Sequence, residues 1–270
     1  MVLPLTRNPE AAGLPPLVEV VRGDLTLPET LDGCLDGVDA VFLVWTAPPA
    51  AVAPALERIA KHARRIVFLS TPLKTAHPFF QQPNPARAFG ALIERLIETS
   101  GMQWTFLRPG MFAANALFWW APQIRAGTDV VRWPYVRVPT APIHKQDIAA
   151  VAVRTLCEDG HAGAEQMSTI GDVIGRSLRL EEISPEDARS ELLTLMPAVV
   201  VNMLLAAWAA ALGQPAFVTS TVEEIAGSPA RTFRDWAADH AAEFRPGPAK
   251  SRLRAALPAP HGHLTQSLHR

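Results

Sequence analysis

Eight histidines, a single tyrosine and a set of tryptophans are the side chains through which this 270-residue chain could do chemistry. Metal binding needs ligands at short fixed spacings, such as His-Glu-x-x-His or Cys-x-x-Cys. His62, His77, His144, His161 and His240 lie far apart, His261 and His263 fall near the end, and neither pattern occurs. No native metal site is expected. His144, three residues before Asp147, can act as a proton donor or as a packed histidine. Phe118, Trp119, Trp120, Trp133 and Trp208 can line a pocket for a hydrophobic or aromatic ligand, or fill a core. Gly-x-Ser-x-Gly is absent, so Ser70 does not mark a hydrolase. Gly-x-Gly-x-x-Gly is absent too.

The elements that must position these residues alternate. Short strands are predicted over 3–5 and 18–22, and a continuous apolar strand over 40–45, as for a parallel strand covered on both faces. Helices are predicted over about 50–62 and 86–100, where Phe89, Leu92, Ile93, Leu96 and Ile97 share a face and Gly101 ends the run. Strands follow over 65–70 and 104–108, with a proline-rich loop over 72–85 between the first of them and its helix. This alternation argues for an α/β fold, a Rossmann-like doubly wound and mostly parallel sheet. After residue 112 the character changes. An apolar helix over 112–124, a helix from Asp147 to Cys157, a strand over 178–183 and helices near 185–212, 221–225 and 231–242 read as a C-terminal helical cap. The domain reading is therefore a core over 1–112, remaining sheet elements and substrate cap over 113–245, and a disordered tail over 246–270 rich in Pro, Ala, Arg and His.

Composition narrows the partners. The chain is 49% hydrophobic with a formal charge of −1, so a sizeable core is available and no basic surface points to nucleic acid. Residues 196–212 form the longest apolar stretch, but Pro197 and Asn202 interrupt it and it is shorter than the roughly 20 residues of a membrane span. The first residues lack a basic start followed by an apolar run. The two cysteines, Cys34 and Cys157, suit reduced core positions. The expected setting is cytoplasmic, without membrane contact.

An ordered set of segments resembles the NmrA-like branch of the atypical short-chain dehydrogenase/reductases. They are Thr-Arg-Asn-Pro (6–9), Val-Val-Arg-Gly-Asp-Leu (20–25), Leu-Asp-Gly-Val-Asp-Ala-Val-Phe-Leu-Val (35–44), Phe-Leu-Ser-Thr (68–71), Gly-Met-Gln-Trp-Thr-Phe-Leu-Arg-Pro-Gly-Met-Phe-Ala-Ala-Asn (101–115) and Pro-Ile-His-Lys-Gln-Asp-Ile-Ala (142–149). The resemblance implies a cofactor and a role for each matching position. Arg7 stands where relatives that prefer NADP place a base on the 2′-phosphate, and no acid in Thr6-Arg7-Asn8 favours NAD. Asp24 and Leu25 match the pair flanking the adenine. Val44, Trp45 and Thr46 face the nicotinamide ribose. Ser70 and Thr71 end a strand where a hydroxyl can bond a substrate carbonyl, or cap a loop. Pro109, Gly110 and Phe112 match the segment beside the nicotinamide, and Asn115, Trp119 and Trp120 the substrate pocket. His144 lies in a segment that approaches the substrate side in relatives.

The chain also departs from that family. Its first predicted strands match the family's second, third and fourth, so the sheet is expected to be truncated at its first strand. The glycine loop that holds the pyrophosphate goes with it, and cofactor binding would be weakened or lost. The gap is expected to close by approach of the flanking strands or by another chain, which would make a homo-oligomer. The helix over 86–100 has no Tyr-x-x-x-Lys; Phe89, Gly90 and Leu92 hold the positions where relatives place a proton carrier, and Glu94 reads as an exposed helix residue. A further strand near 163–175 reads as lost. Three functions remain open: an NADP-dependent oxidoreductase reducing a small apolar or aromatic carbonyl or quinone, a non-catalytic dinucleotide sensor or partner-binding protein, and a cofactor-free isomerase or cyclase.

Overall fold

The computed structural model describes residues 2–157, 176 and 178–245. The expectations for 163–175 and for the tail lie outside these residues. Along the chain run β1 (Leu5–Thr6), β2 (Val21–Arg22), α1 (Asp32–Leu35), β3 (Ala40–Leu43), α2 (Val52–His62), β4 (Arg65–Leu69), α3 (Pro78–Gln81), α4 (Pro85–Glu98) and β5 (Gln103–Leu107). Then come β6 (Met111–Phe112), α5 (Asn115–Trp119), α6 (Ala121–Arg125), β7 (Val130–Trp133), β8 (Pro142–Ile143), α7 (Lys145–Cys157), β9 (Arg179–Glu182), α8 (Pro185–Leu192), α9 (Ala198–Ala210), α10 (Thr221–Ala226) and α11 (Phe233–Asp239). The described residues form two compact units, 2–70 with 88–107 and 71–87 with 108–245.

The first unit is a parallel α/β layer. β3, β4 and β5 pair in that order, all parallel, with Leu43 opposite Phe68 and Phe68 opposite Phe106. α2 buries Val52, Ala55, Leu56 and Ile59, the i, i+3, i+4, i+7 stripe of an amphipathic helix. These residues join Ile66 and Phe68 of β4 and Ile93 and Ile97 of α4 in one core, at about 1.5–3 kcal/mol per fully buried aliphatic side chain. β4 is buried at its centre, as a middle strand should be. β3 is not: Phe42 is 38% exposed and Val44, just past it, 45%. The expectation of cover on both faces is corrected here: Leu43 faces the core, while the opposite face, which carries Phe42 and Val44, is open.

β1 and β2 pair in parallel as a separate two-stranded sheet, Leu5 opposite Val21. Gly23 follows, and a Cβ there would stand 2.8 Å from the Leu5 side chain and 3.2 Å from Cys34 Sγ. A side chain at this position would push the Leu5 side chain aside. No pairing joins β1 to β3 among the described residues, so the flanking strands do not close up.

The second unit is mostly helical around an aromatic core. The apolar run 112–124 is not one helix. Phe112 ends β6, α5 stops at Trp119, and α6 restarts after Trp120 with Pro122 in its first turn, where a missing N–H costs nothing. Trp119, Trp120, Trp133 and Trp208 contact one another with ring centroids 4.8–6.1 Å apart, and Phe233, Trp236 and Phe244 extend the same core. β6 pairs in parallel with β8, and β7 with β9. α11 opens on a capping box between Thr232 and Asp235. No described helix is long and apolar enough to cross a membrane.

Candidate active site

In parallel α/β layers ligands bind outside the carboxyl ends of the strands. In the first unit those ends carry Arg7, Asp24, Val44 and Ser70. The turn after β2 is built by its own hydrogen bonds. Asp24 Oδ1 accepts from the Thr26 N–H and hydroxyl, each at 2.8 Å, and the Asp24 N–H donates to Thr30 Oγ1 at 2.9 Å. The Thr26 backbone N–H is the main reason the Asp24 carboxyl is held below its ordinary range, and the Arg7 guanidinium adds to it. Arg7 and Asp24 follow the ends of the neighbouring parallel strands β1 and β2. Arg7 is exposed, and its carbonyl accepts from the Arg22 guanidinium at 3.0 Å.

Leu25 packs partly against the first unit's core. Val44 and Thr46 are exposed beyond β3. Trp45 between them is half-buried, and its indole N–H donates to the Ala47 carbonyl at 2.5 Å. Ser70 extends the ladder by one residue, its N–H donating to the Leu107 carbonyl at 2.7 Å. Its hydroxyl, by contrast, is shielded from solvent with no partner among the described residues.

The second unit begins with the other hydroxyl. Thr71 Oγ1 is also shielded and without a partner among the described residues. The same unit contains a small cleft with a cavity volume of about 20 Å³, lined by His77, Phe79 and Phe80 of the α3 segment, Met111 of β6, Val138 to Ala141 before β8, and Ala211 and Phe217 beyond α9. His77 caps α3: its Nδ1 accepts from the Phe79 N–H at 3.3 Å, so its Nε2 carries the proton and donates to the Pro215 carbonyl at 2.8 Å. Phe80 meets Phe217 edge to face at 5.2 Å. Both rings press on Gly110, where a Cβ would stand 3.2 Å from Phe80 Cζ and 3.6 Å from Phe217. A side chain there would make the Phe80 ring give way by a few tenths of an ångström. The register of β6 on β8, Met111 opposite Pro142, ties residues 109–112 to the loop that forms the cleft's other wall.

Tyr135 shapes that wall. It is the one non-glycine residue with positive φ, +55°, among the described residues, and its carbonyl accepts from the Val138 N–H at 3.0 Å. The left-handed conformation costs roughly 1–2 kcal/mol and turns the chain from β7 into the Val138–Ala141 loop.

The remaining positions separate. Pro109 is half-buried, Phe112 exposed and Asn115 half-buried at the start of α5. Trp119 and Trp120 lie in the tryptophan core and do not line the cleft. His144 is 1% exposed. Its Nδ1 accepts from the Gln146 N–H at 3.0 Å, and its Nε2 faces Asp239 at 3.4 Å. Burial drives its pKa below the ordinary imidazole value, against the pull of Asp147 and Asp239. Asp147 is anchored by the Arg231 N–H at 2.8 Å and by the Arg231 guanidinium. Phe79, Phe80 and Phe217 were not singled out by sequence. His-Pro at 77–78, a cap followed by proline at the first helical position, was the available signal for α3; Phe217 sits in an irregular segment with no periodicity to reveal it.

A family model described as NAD(P)H-binding matches residues 2–159. A (4-alkanoyl-5-oxo-2,5-dihydrofuran-3-yl)methyl phosphate reductase from Streptomyces griseus is 36% identical over 251 residues, covering 85% of each chain. An NAD(P)H azoreductase from Xenophilus azovorans is 32% identical over 250 residues, covering 84% of each. Among solved structures, the triphenylmethane reductase of Citrobacter sp. complexed with NADP(H) superposes with a TM-score of 0.66 at 16% identity, covering 88% of this chain and 90% of that one. That likeness speaks for a Rossmann-like fold.

Proposed function

This chain belongs to the NAD(P)H-binding, NmrA-like family of atypical short-chain dehydrogenase/reductases, and we propose that it is an NADP-dependent reductase of small, apolar or aromatic, conjugated acceptors. The observation that carries the reading is the pair of open hydroxyls. Ser70 Oγ and Thr71 Oγ1, directly after β4, are shielded from water and bonded to nothing described. A buried hydroxyl without a partner costs roughly 1–3 kcal/mol, a cost that a bound acceptor oxygen would relieve.

The residues present fit the nucleotide in part. Arg7 offers a cation for a 2′-phosphate, and the rigid Asp24–Leu25 turn offers a surface for adenine. The sequence supplies no glycine loop for the pyrophosphate. When bound, NADPH supplies the hydride; the acceptor also takes up one proton and NADP⁺ is left. The chain's own part is orientation and charge stabilisation. Phe80 and Phe217 hold the plane of the acceptor. The Thr71 hydroxyl, in the same unit as the cleft, donates to the acceptor oxygen as negative charge grows on it. His144 is buried, accepts at Nδ1 and does not line the cleft, so we assign the proton to water. The named substrates of the two curated relatives, a butenolide phosphate and azo compounds, are conjugated acceptors that an aromatic cleft suits.

Steady-state oxidation of NADPH with a panel of quinones, azo dyes and a butenolide phosphate tests this. Turnover with at least one acceptor is expected. A second reading has its own support: α4 presents Phe89, Gly90 and Leu92 where a proton carrier would stand. NADPH binding without oxidation of any acceptor would select that reading, a dinucleotide sensor.

A further inference from the structure

Residues 71–87 contain no aspartate or glutamate, yet they carry Lys74, His77 and Arg87. The same stretch supplies three lining residues of the cleft, His77, Phe79 and Phe80. Lys74 is exposed and makes no ion pair among the described residues. Arg87 is the sharper case. It sits in the first turn of α4, where its backbone N–H donates to Asn84 Oδ1 at 3.2 Å. Its guanidinium has no hydrogen bond or ion pair among the described residues, although Nη1 is shielded from solvent.

A guanidinium stays charged at any working pH, and a shielded charge without an anion is destabilising. Other arginines of this unit find partners: Arg176 holds Asp129 at 2.7 Å, Arg231 holds Asp147, and Arg125 donates to the Glu243 carbonyl at 3.2 Å. The Arg87 guanidinium has none among the described residues. The planar fork of a guanidinium fits an oxyanion with two oxygens side by side, and a phosphate monoester satisfies it best because its double charge remains after one contact.

We propose that Arg87 forms an anion subsite for a phosphate monoester carried by the acceptor. This deepens the reductase reading and rests on it for the identity of the acceptor. The phosphate chemistry has two sources, the acceptor and the cofactor, and the test separates them.

Titration calorimetry of the full chain with hexyl phosphate, with and without saturating NADPH, is the measurement. Wild type is expected to bind hexyl phosphate in both conditions. R87M, which keeps the apolar stem, is expected to bind it at least tenfold more weakly, and R87K to recover part of the loss. Without phosphate, R87M is expected to melt at or above the wild-type temperature, since it removes an unmatched charge; a structural arginine would do the reverse. Equal binding by wild type and R87M overturns the proposal. So does loss of hexyl phosphate binding on saturation with NADPH together with a tenfold loss of NADPH affinity in R87M, which would give Arg87 to the cofactor. A lower melting temperature for R87M overturns it as well. These readouts need no turnover, so failure to oxidise NADPH would fall on the reductase reading alone.

Discussion

Asp147 and Ser70 are buried to nearly the same degree, 1% and 6% exposed, and their surroundings differ completely. Asp147 receives the Arg231 N–H and guanidinium; beside it His144 Nδ1 accepts from the Gln146 N–H, while its Nε2, 3.4 Å from Asp239, makes no hydrogen bond among the described residues. The Ser70 hydroxyl, and that of Thr71 after it, receive nothing described. Burial alone therefore does not mark a functional group. A buried polar atom whose valences are filled by its own chain is architecture, and one left open at the end of a strand is poised for a ligand.

Breaking the filled cluster should have the largest effect on folding. D147A leaves the Arg231 N–H and guanidinium without their acceptor and is expected to cost about 1.5–3 kcal/mol in chemical denaturation. Removing the open hydroxyls should do the opposite. The double variant S70A/T71V is expected to melt no lower than wild type while kcat/KM for the acceptor falls roughly 100-fold. Equal stability losses in the two variants would erase the distinction between the clusters. At the exposed turn, R7A should reduce the preference for NADPH over NADH about tenfold, read as the ratio of the two Kd values.

The smallest effect concerns pH. The folded state depresses the His144 pKa below 6.5, so its contribution to stability is present above that value. It is lost as pH falls toward the folded pKa, because the unfolded chain takes up the proton first. Asp147 and Asp239 oppose the shift, while Arg231 and His240 reinforce it. H144N is expected to flatten the fall in melting temperature between pH 6.5 and lower values; an unchanged slope would place the titration elsewhere.

Much of this could be read from residue order. The α2 stripe from Val52 to Ile59, the end of α4 at Gly101 and the buried β4 follow from periodicity and turn chemistry. Other features depend on tertiary neighbours. Glu94 reads as a surface glutamate, yet it is 4% exposed because it shares a face with the buried Gly90 and Ile97. Trp119 and Trp120 could have lined a pocket; the approach of Trp133 and Trp208, from distant elements, commits them to the core. The open state of Ser70, Thr71 and Arg87 is legible only from coordinates, since sequence does not say which polar groups find partners.

The reductase account depends first on the nucleotide. Titrating the full chain with NADPH, and separately with NADH, while following nicotinamide fluorescence tests it most directly. Micromolar NADPH binding with weaker NADH binding is the predicted result, and no saturable binding of either nucleotide would contradict it.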